Sequence, residues 1–337
     1  MKTLVTGAPG WLGTRLVEAL TGKAPELTQY SAHGSRQVRV LAIPNINVTE
    51  LNAMGAEVLR GDVRDEQSLN AACQGVDTIF HCVGLIHPKN IKDLYEVNTR
   101  GTLNLIRSAQ RAGVKRIIYV SSNSPAGCNV RRDVLLKETD ANNPYKTYGK
   151  SKAKAEEFIR LAFQDGRMET VIVRPCWFYG PNQPARQSRF FNMIKSGKPI
   201  IFGDGKNLRS MSYIDNSVQG ILLSESASHA NGHIYWLADA RPYSTLEIYQ
   251  TIAELLNVEL KPRFIPGLAS EICELADDFL QTIGIYSTDF HVAGEMNKDI
   301  ACSIEKAQRH LGYKPTIDLR EGMRRSIEWC RNNGLQI

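Results

Sequence analysis

The chain has 337 residues, of which 42% are hydrophobic and 23% are charged, a balance typical of an ordinary soluble globular protein. Its net charge of +6 arises from 41 basic and 35 acidic residues that form no long block or stripe, which argues against a nucleic-acid partner. No apolar run is long enough for a membrane span, and the seven cysteines show neither C-x-x-C nor metal-ligand spacing. We therefore expect a cytoplasmic protein with no signal peptide and no metal.

The amino terminus predicts a nucleotide-binding turn. Lys2–Thr6 reads as a strand, a glycine-rich turn follows, and Thr14–Leu20 has the apolar spacing of a helix. In a strand–turn–helix unit, glycines permit the tight turn, the approach of backbone to a pyrophosphate, and close helix packing. The helix N-terminus adds partial positive charge. The candidate cofactor-binding residues here are Gly7, Gly10, Trp11, Leu12 and Gly13.

The second predicted strand, Val38–Ile43, follows a polar loop at residues 21–37. An acidic residue at the end of this strand would hold the adenosine ribose of NAD, and an arginine would accept the 2′-phosphate of NADP. The sequence there is Ala42-Ile-Pro-Asn45, which contains neither an acidic residue nor an arginine. The expected cofactor is therefore NAD or NADP, with the choice open.

The third and fourth predicted strands, Glu57–Arg60 and Asp77–His81, end in further candidate cofactor contacts. Asp62 could accept a hydrogen bond from the adenine amino group, with Val63 beside it, or it could cap the following helix. After the fourth strand, small residues suit a ribose or pyrophosphate, and His81 is expected to be a packed, hydrogen-bonded histidine. The candidates on this stretch are Asp62, Val63, Cys82, Val83 and Gly84.

The next segments complete an alternating pattern. Leu94–Ala112 predicts a long helix that carries Asn98, a residue that in mid-helix usually has a partner. Lys115–Val120 predicts a fifth strand that ends in Ser121-Ser122-Asn-Ser124. Strands that alternate with helices predict a parallel sheet covered on both faces, with ligands bound beyond the carboxyl ends of the strands. The candidate residues found so far share that edge.

The helix predicted for Tyr148–Phe163 begins with a candidate proton relay. Tyr148 and Lys152 are four residues apart, so both side chains lie on one face. A free phenol has a pKa of about 10, and a nearby ammonium would lower it. The pair could therefore exchange a proton with an alcohol or a carbonyl.

The regular alternation ends after a sixth predicted strand, Glu169–Arg174, and Pro175. Shorter elements follow, among them a strand at Met211–Ile214 and helices at 216–224, 245–256 and 269–283, with two more helices in 304–334. The third of these helices has apolar residues at helical spacing. We expect an α/β, doubly wound Rossmann domain over residues 1–179 and a smaller substrate-binding domain over 180–337, with room for a segment that returns to the Rossmann core.

Taken together, these motifs resemble the extended short-chain dehydrogenase/reductases, which include nucleotide-sugar epimerases and dehydratases and 3β-hydroxysteroid dehydrogenases. The resemblance covers nearly the whole chain. It rests on Thr6-Gly-x-x-Gly-x-x-Gly13, Gly61-Asp62, Asn98-x-x-Gly-Thr-x-Asn, Gly113-Val-Lys-Arg-Ile-Ile-Tyr-Val-Ser-Ser122, Tyr148-Gly-x-Ser-Lys152, Arg174-Pro, Tyr179-Gly-Pro, Gly203-Asp-Gly, Tyr213-Ile-Asp-Asn216, Leu311-Gly-Tyr-Lys-Pro315 and Glu321-Gly-Met.

The resemblance implies roles for these residues. Tyr148 would be the acid/base, Lys152 would hold the nicotinamide ribose, and Ser122 would hydrogen-bond the reacting oxygen, with Ser124 as the alternative. Asn98, Ser121 and Pro175 join the expected cofactor contacts. Many relatives form dimers through helices equivalent to 91–112 and 147–165, so a homodimer is expected.

Two substrate classes compete within this resemblance. Many nucleotide-sugar enzymes have an asparagine where Trp177 stands, and its loss beside Phe191 favours an uncharged secondary alcohol or ketone, steroid-like or cyclic. Arg209 matches an arginine that binds diphosphate in nucleotide-sugar epimerases and dehydratases. The expected substrate contacts are Ser124, Trp177, Phe191 and Arg209. A third possibility, an NAD(P)-binding regulatory protein without turnover, is disfavoured by the intact serine, tyrosine and lysine.

Overall fold

A computed structural model describes residues 1–337, apart from the side chain of Arg186. Its strands are β1 Lys2–Thr6, β2 Gln37–Ala42, β3 Glu57–Arg60, β4 Thr78–His81, β5 Arg116–Val120, β6 Glu169–Pro175, β7 Trp177–Tyr179, β8 Ile200–Phe202, β9 Leu208–Arg209, β10 Met211–Tyr213, β11 Ile234–Leu237, β12 Tyr243–Ser244 and β13 Arg263–Ile265.

The α-helices connect and flank these strands. They are α1 Trp11–Leu20, α2 Pro25–Thr28, α3 Thr49–Ala53, α4 Glu66–Cys73, α5 Lys92–Leu94, α6 Gly101–Arg111, α7 Lys146–Gln164, α8 Ala185–Lys195, α9 Ile214–Ser226, α10 Thr245–Leu256, α11 Gly267–Thr282, α12 Thr288–Glu295, α13 Glu305–Leu311 and α14 Leu319–Asn332. A π-helical segment, Tyr95–Arg100, lies between α5 and α6, and Ser228–Ala230 forms a 3₁₀ turn.

The central sheet confirms the predicted α/β fold. Seven parallel strands lie in the order β11-β6-β5-β4-β1-β2-β3. The order reverses between β1 and β4, and a parallel sheet binds its ligands at such a switch point. Strand β11 comes from the carboxyl half of the chain and pairs with β6, so a segment does return to the sheet. The short strands pair in twos outside it.

The sheet carries a hydrophobic core on each face, as a parallel sheet requires. Leu16, Val40 and Phe80 belong to one core, and Leu69, Ile79 and Ile117 to the other. The predicted helix at 94–112 differs from expectation because the π-helical segment interrupts it. Such segments often occur at functional sites, and this one carries Asn98.

Helix α11 has its polar face buried and its apolar face exposed. Ile272, Leu275 and Phe279 are 59%, 68% and 66% exposed, whereas Ser270 and Asp277 are buried. Ser270 donates to the Ala293 carbonyl oxygen at the end of α12. The apolar spacing at 269–283 therefore predicted the helix correctly, but its apolar side does not face the core.

Among the described residues, no helix combines the length and the apolar character needed to cross a bilayer.

Candidate active site

Three glycines shape the turn after β1 because larger residues would collide with backbone. A Cβ on Gly7, which has a φ of +94°, would lie 2.6 Å from the carbonyl carbon of Cys82. A Cβ on Gly10 or Gly13 would lie 2.6 or 2.5 Å from the Gly7 carbonyl oxygen. The turn thus packs against the end of β4 and folds tightly on itself, which leaves a cradle free of side chains.

The N-terminus of α1 faces this cradle with unpaired donors. The first intrahelical bond runs from the Thr14 N–H to the Gly10 carbonyl oxygen, so the N–H groups of Trp11, Leu12 and Gly13 have no partner within the helix. Such groups bind phosphate well. The Trp11 side chain does something else: its indole N–H donates to the Pro181 carbonyl oxygen at 2.6 Å. Only the backbone of Trp11 fits the predicted contact.

The structure after β3 excludes one of the two predicted roles of Asp62, that of a helix cap. Helix α4 is capped by Asp65, which accepts bonds from the Gln67 and Ser68 N–H groups, so Asp62 is not its cap. The Asp62 carboxylate pairs with Arg64 at 2.6 Å, and this hydrogen-bonded guanidinium holds its pKa below the usual range. Val63 is buried and packs where a Cβ on Gly101 would lie. Contact of Asp62 and Val63 with adenine stays a prediction.

The small residues after β4 adjoin the predicted proton relay. A Cβ placed on Gly84 would lie 3.9 Å from the Tyr148 hydroxyl oxygen and 4.0 Å from Lys152 Nζ. Lys152 Nζ also approaches the Val83 carbonyl oxygen at 3.5 Å. The structure therefore brings Gly84, Tyr148 and Lys152 together, and the absence of a side chain on Gly84 keeps the Tyr148 hydroxyl and Lys152 Nζ uncovered on that side.

Asn98 is buried, and its side-chain amide makes three hydrogen bonds within the protein. Its amide oxygen accepts a bond from the Leu85 N–H at 2.7 Å. Its amide nitrogen donates to the Leu85 carbonyl oxygen and to the Ser151 hydroxyl, at 3.0 and 3.1 Å. Both ends of the side chain therefore fasten the loop after β4 to α7, and a direct contact of Asn98 with the cofactor stays a prediction. His81 is packed as predicted, between Thr6 and Thr102.

Ser122 and Tyr148 form the centre of the candidate site. Burial raises the pKa of Tyr148 above its usual value near 10, and a hydrogen bond with the Ser122 hydroxyl opposes part of that rise. The sequence predicted that Lys152 would lower this pKa, and in the structure that prediction is wrong because burial outweighs any stabilisation of the phenolate. The phenol is therefore protonated at neutral pH.

Lys152 is held without a carboxylate partner among the described side chains. Its Nζ donates to the Val120 carbonyl oxygen at 2.8 Å and lies 4.3 Å from the centre of the Tyr119 ring. Burial lowers the pKa of Lys152 to about 7, against the opposing effect of Glu156. Because this pKa lies near neutral pH, a nearby charge would readily change the protonation state of Lys152.

Gly149 explains how the helix and the serine loop approach each other. A Cβ on Gly149 would lie 2.5 Å from the Ser124 carbonyl oxygen, so only glycine lets Ser122 and Tyr148 come together. The Ser124 N–H donates to the Ser122 hydroxyl oxygen at 3.2 Å, and the choice of Ser122 over Ser124 is consistent with the Tyr148 contact. Ser121 and Pro175 are both buried at the carboxyl ends of their strands, and the Ser121 hydroxyl has no partner.

Sequence reasoning missed a buried ion pair one helical turn beyond Lys152. The Arg174 guanidinium donates to both carboxylate oxygens of Glu156, at 2.8 and 2.5 Å. The side chains are 1% and 0% exposed. Arg174-Pro was noted only as a family marker, and the spacing of Glu156 after Lys152 was the signal that could have found the pair.

The predicted substrate residues fall into two environments. Trp177 is half-buried, and its ring lies 5.5 Å from the Arg209 guanidinium carbon. Phe191 is 2% exposed within the core, so it offers almost no surface to a substrate, and its substrate contact stays a prediction. Its neighbour Phe190 packs against Trp177, with ring centroids 5.6 Å apart.

Arg209 is neither a surface residue nor part of an ion pair among the described side chains. It is buried, and one terminal nitrogen donates to the Glu295 carbonyl oxygen at 2.5 Å. Its Nε has no hydrogen-bond partner. A buried guanidinium with an unused donor can bind an anion only if the anion can reach it past Trp177 and Glu295.

Helix α11, which packs against α12, contacts the first turn of α7. Lys146 adopts a left-handed backbone, with φ of +53°, and its Nζ lies 2.6 Å from an Asp278 carboxylate oxygen. Strain of this kind in a residue other than glycine often marks a functional site. Thr147, next to Tyr148, bonds to Gln281. No sequence pattern indicated these contacts.

The described residues contain no cluster of three or more His, Cys, Asp or Glu side chains suited to a metal. They do fit a dinucleotide, because they form a cradle free of side chains with unpaired N–H donors at a helix start. Gly10 would then lie beside the pyrophosphate, and Lys152 and Tyr148 would hold the nicotinamide riboside.

Comparison with known proteins agrees with this geometry. A model of the 3-beta hydroxysteroid dehydrogenase/isomerase family matches residues 4–266. The uncharacterized protein y4nL of Sinorhizobium fredii is 45% identical over 98% of this chain and 95% of its own length. UDP-glucose 4-epimerase of Vibrio cholerae is 27% identical over 96% of this chain and 94% of its own length. The 2-alkyl-3-oxoalkanoate reductase of Stenotrophomonas maltophilia is 28% identical, with 96% and 98% covered.

A solved structure shares the fold. The dTDP-glucose 4,6-dehydratase DesIV of Streptomyces venezuelae, solved with NAD bound, gives a TM-score of 0.78 at 24% identity, and 99% of this chain and 98% of that chain are covered. The family match spans both the glycine turn and the Ser122, Tyr148 and Lys152 constellation. The chain therefore belongs to the 3-beta hydroxysteroid dehydrogenase/isomerase family, within the extended short-chain dehydrogenase/reductases, and is an NAD(P)-dependent oxidoreductase.

Proposed function

We propose that this protein interconverts a secondary alcohol and a ketone on a substrate that carries no nucleotide. The observation that carries this choice is the setting of Arg209. Trp177 covers one side of its guanidinium, and a terminal nitrogen is already bonded to the Glu295 carbonyl oxygen. A diphosphate clamp needs that fork free for charge-assisted bonds.

The polar groups at the site have distinct tasks in this proposal. A bound nicotinamide would supply or accept the hydride at the carbinol carbon. Tyr148 gives its proton to the carbonyl oxygen during reduction and regains it during oxidation. The Ser122 hydroxyl orients that oxygen, and Lys152 binds the ribose. Because burial raises the pKa of Tyr148, the phenol is protonated at neutral pH and can donate its proton to the carbonyl oxygen of a ketone.

A second candidate, a nucleotide-sugar epimerase or dehydratase, is supported by the unused Nε of Arg209 and the absence of a carboxylate partner among the described side chains. A buried cation without a counter-charge is costly unless a ligand supplies one. A relative with an epimerase name is also 27% identical.

A substrate panel tests the proposal. Hydroxysteroids, other cyclic alcohols, long-chain 3-oxo acids and UDP- or dTDP-sugars would be incubated with the protein and cofactor. Reduced nicotinamide absorbance would be followed, and sugar products would be analysed directly because epimerases return the hydride. Turnover of an alcohol or ketone without nucleotide supports the proposal, and turnover of nucleotide sugars alone would reject it.

The proposal also covers the oligomeric state and the location of the protein. We propose a homodimer that uses the helices within 91–112 and α7, where Leu161 and Phe163 are exposed apolar residues, and a cytoplasmic location. Light scattering of the purified protein tests the dimer: a monomeric mass would reject it.

A further inference from the structure

We propose that Arg60 forms a binding site for the 2′-phosphate of NADP(H), so that this protein prefers NADP(H) to NAD(H). This inference rests on the cofactor role of the glycine turn and names the form of the cofactor. It does not depend on which substrate is reduced. The residues that form this site lie at the carboxyl edge of β2 and β3.

The end of β2 leaves room where a discriminating side chain would stand. Ala42 ends the strand with a methyl group, and Ile43 follows with its side chain 54% exposed. A carboxylate here would hold the ribose hydroxyls and repel a phosphate. No acidic residue occurs between Gln37 and Thr49, so nothing on this segment excludes the 2′-phosphate.

Arg60, on the neighbouring strand β3, places a cation beside the end of β2. Arg60 is the register partner of Ala42 in the parallel β2–β3 pair, which places both residues at the same edge. One terminal nitrogen of Arg60 donates to the Ile46 carbonyl oxygen at 2.7 Å and to the Ile43 carbonyl oxygen at 3.2 Å. These bonds fix the exposed guanidinium over the turn that follows β2.

The remaining donors of Arg60 are available to a ligand. Among the described side chains, no carboxylate pairs with Arg60, whereas the nearby Asp62 is already neutralised by Arg64. A planar guanidinium binds phosphate through two parallel bonds. The glycine turn itself contributes Ala8 and Pro9 and therefore no competing cation. Arg60 is thus the residue at this edge suited to recognise a phosphate.

Binding measurements on the whole protein test this site without any substrate. NADPH and NADH would be titrated by nicotinamide fluorescence, and 2′,5′-ADP and 5′-ADP by calorimetry. A charge-assisted contact to phosphate predicts that the wild type binds NADPH and 2′,5′-ADP roughly tenfold or more tightly than their counterparts. Arg60→Met should abolish that difference and leave NADH affinity unchanged.

Two further variants separate a specific contact from a general effect of charge. Lys23→Met removes an exposed cation away from this edge and should keep the preference for NADPH. Ile43→Asp places a carboxylate at the exposed end of β2 and should shift the preference towards NADH. Equal binding of NADPH and NADH by the wild type, or an intact preference in Arg60→Met, would overturn the inference while the proposed reaction stands. Failure to bind either cofactor would overturn both the role of Arg60 and the proposed reaction.

Discussion

Gln281 accepts hydrogen bonds from both the backbone N–H and the hydroxyl of Thr147, at 3.2 and 2.7 Å. Thr147 immediately precedes Tyr148, so helix α11 is fastened to α7 beside the proposed acid/base. The same glutamine donates to Asp277 within α11. The docking of α11 and α12 and the position of Tyr148 are therefore linked through one side chain.

Replacing Gln281 with alanine should loosen this link. Each lost hydrogen bond is worth about 0.5–1.5 kcal/mol, so kcat/KM should fall roughly three- to tenfold. Amide hydrogen exchange in α11 and α12 should become faster. Thr282→Ala is the matched control because Thr282 is exposed and bonds only within its own helix. Equal exchange rates in Gln281→Ala and the control would contradict the link.

Replacing Tyr148 with phenylalanine should remove the proton donor and preserve the shape of the site. We expect turnover to fall by roughly 10² to 10⁴, with cofactor affinity within about twofold of the wild type by fluorescence titration. The Ser122→Ala variant should show a smaller loss. Undiminished turnover in Tyr148→Phe would assign the proton transfer to another group.

Lys152 should give the protein a characteristic dependence of stability on pH. Its pKa is about 7 in the folded state and about 10.4 in an unfolded chain. Between these values unfolding takes up a proton, so the free energy of unfolding should rise with pH, by up to about 1.4 kcal/mol per unit.

Urea unfolding of the wild type and Lys152→Met, at pH 7.0 to 8.5, measures this effect. The difference between the two slopes isolates Lys152 from other titrating groups. The wild-type slope should be the steeper one. Parallel curves would mean that the ammonium keeps an ordinary pKa in the folded protein.

The buried pair Glu156 and Arg174 should be costly to break. Arg174→Met leaves the Glu156 carboxylate buried without a partner, which typically costs about 3–5 kcal/mol. Lys154→Met is the control, because its ion pair with Glu157 is nearly half exposed at both side chains and should be worth less than about 1 kcal/mol. Denaturant unfolding measures both. Equal losses would show that Arg174 is no more important than a surface charge.

Arg209→Ala separates the two substrate classes. With a nucleotide sugar as substrate, loss of the guanidinium should weaken UDP or dTDP binding at least roughly tenfold. With an uncharged alcohol or ketone, the nucleotides should not bind measurably even to the wild type. Trp177→Asn should then be the more damaging change, because it puts an amide against Phe190. Micromolar nucleotide binding that disappears in Arg209→Ala would reject the alcohol reading.

The sequence predicted the parts of this site that depend on local pattern. Strand ends carried the candidate residues to one edge, and the spacing of Tyr148 and Lys152 placed both on one face. What it could not predict depends on packing across the chain. Asn98 faces a backbone loop, Phe191 faces the core, and burial raises the Tyr148 pKa. Each of these outcomes depends on a neighbour distant in sequence, which periodicity does not reveal.

The inverted orientation of α11 has a consequence for how α11 and α12 detach. Their attachment to the body relies on polar contacts such as Lys146 with Asp278, while the apolar stripe with Leu275 already meets water. Detachment would therefore expose little new apolar surface. Because sensitivity to urea scales with newly exposed surface, this opening should depend on denaturant much less steeply than global unfolding, and because salt screens exposed charge pairs, it should also respond to ionic strength.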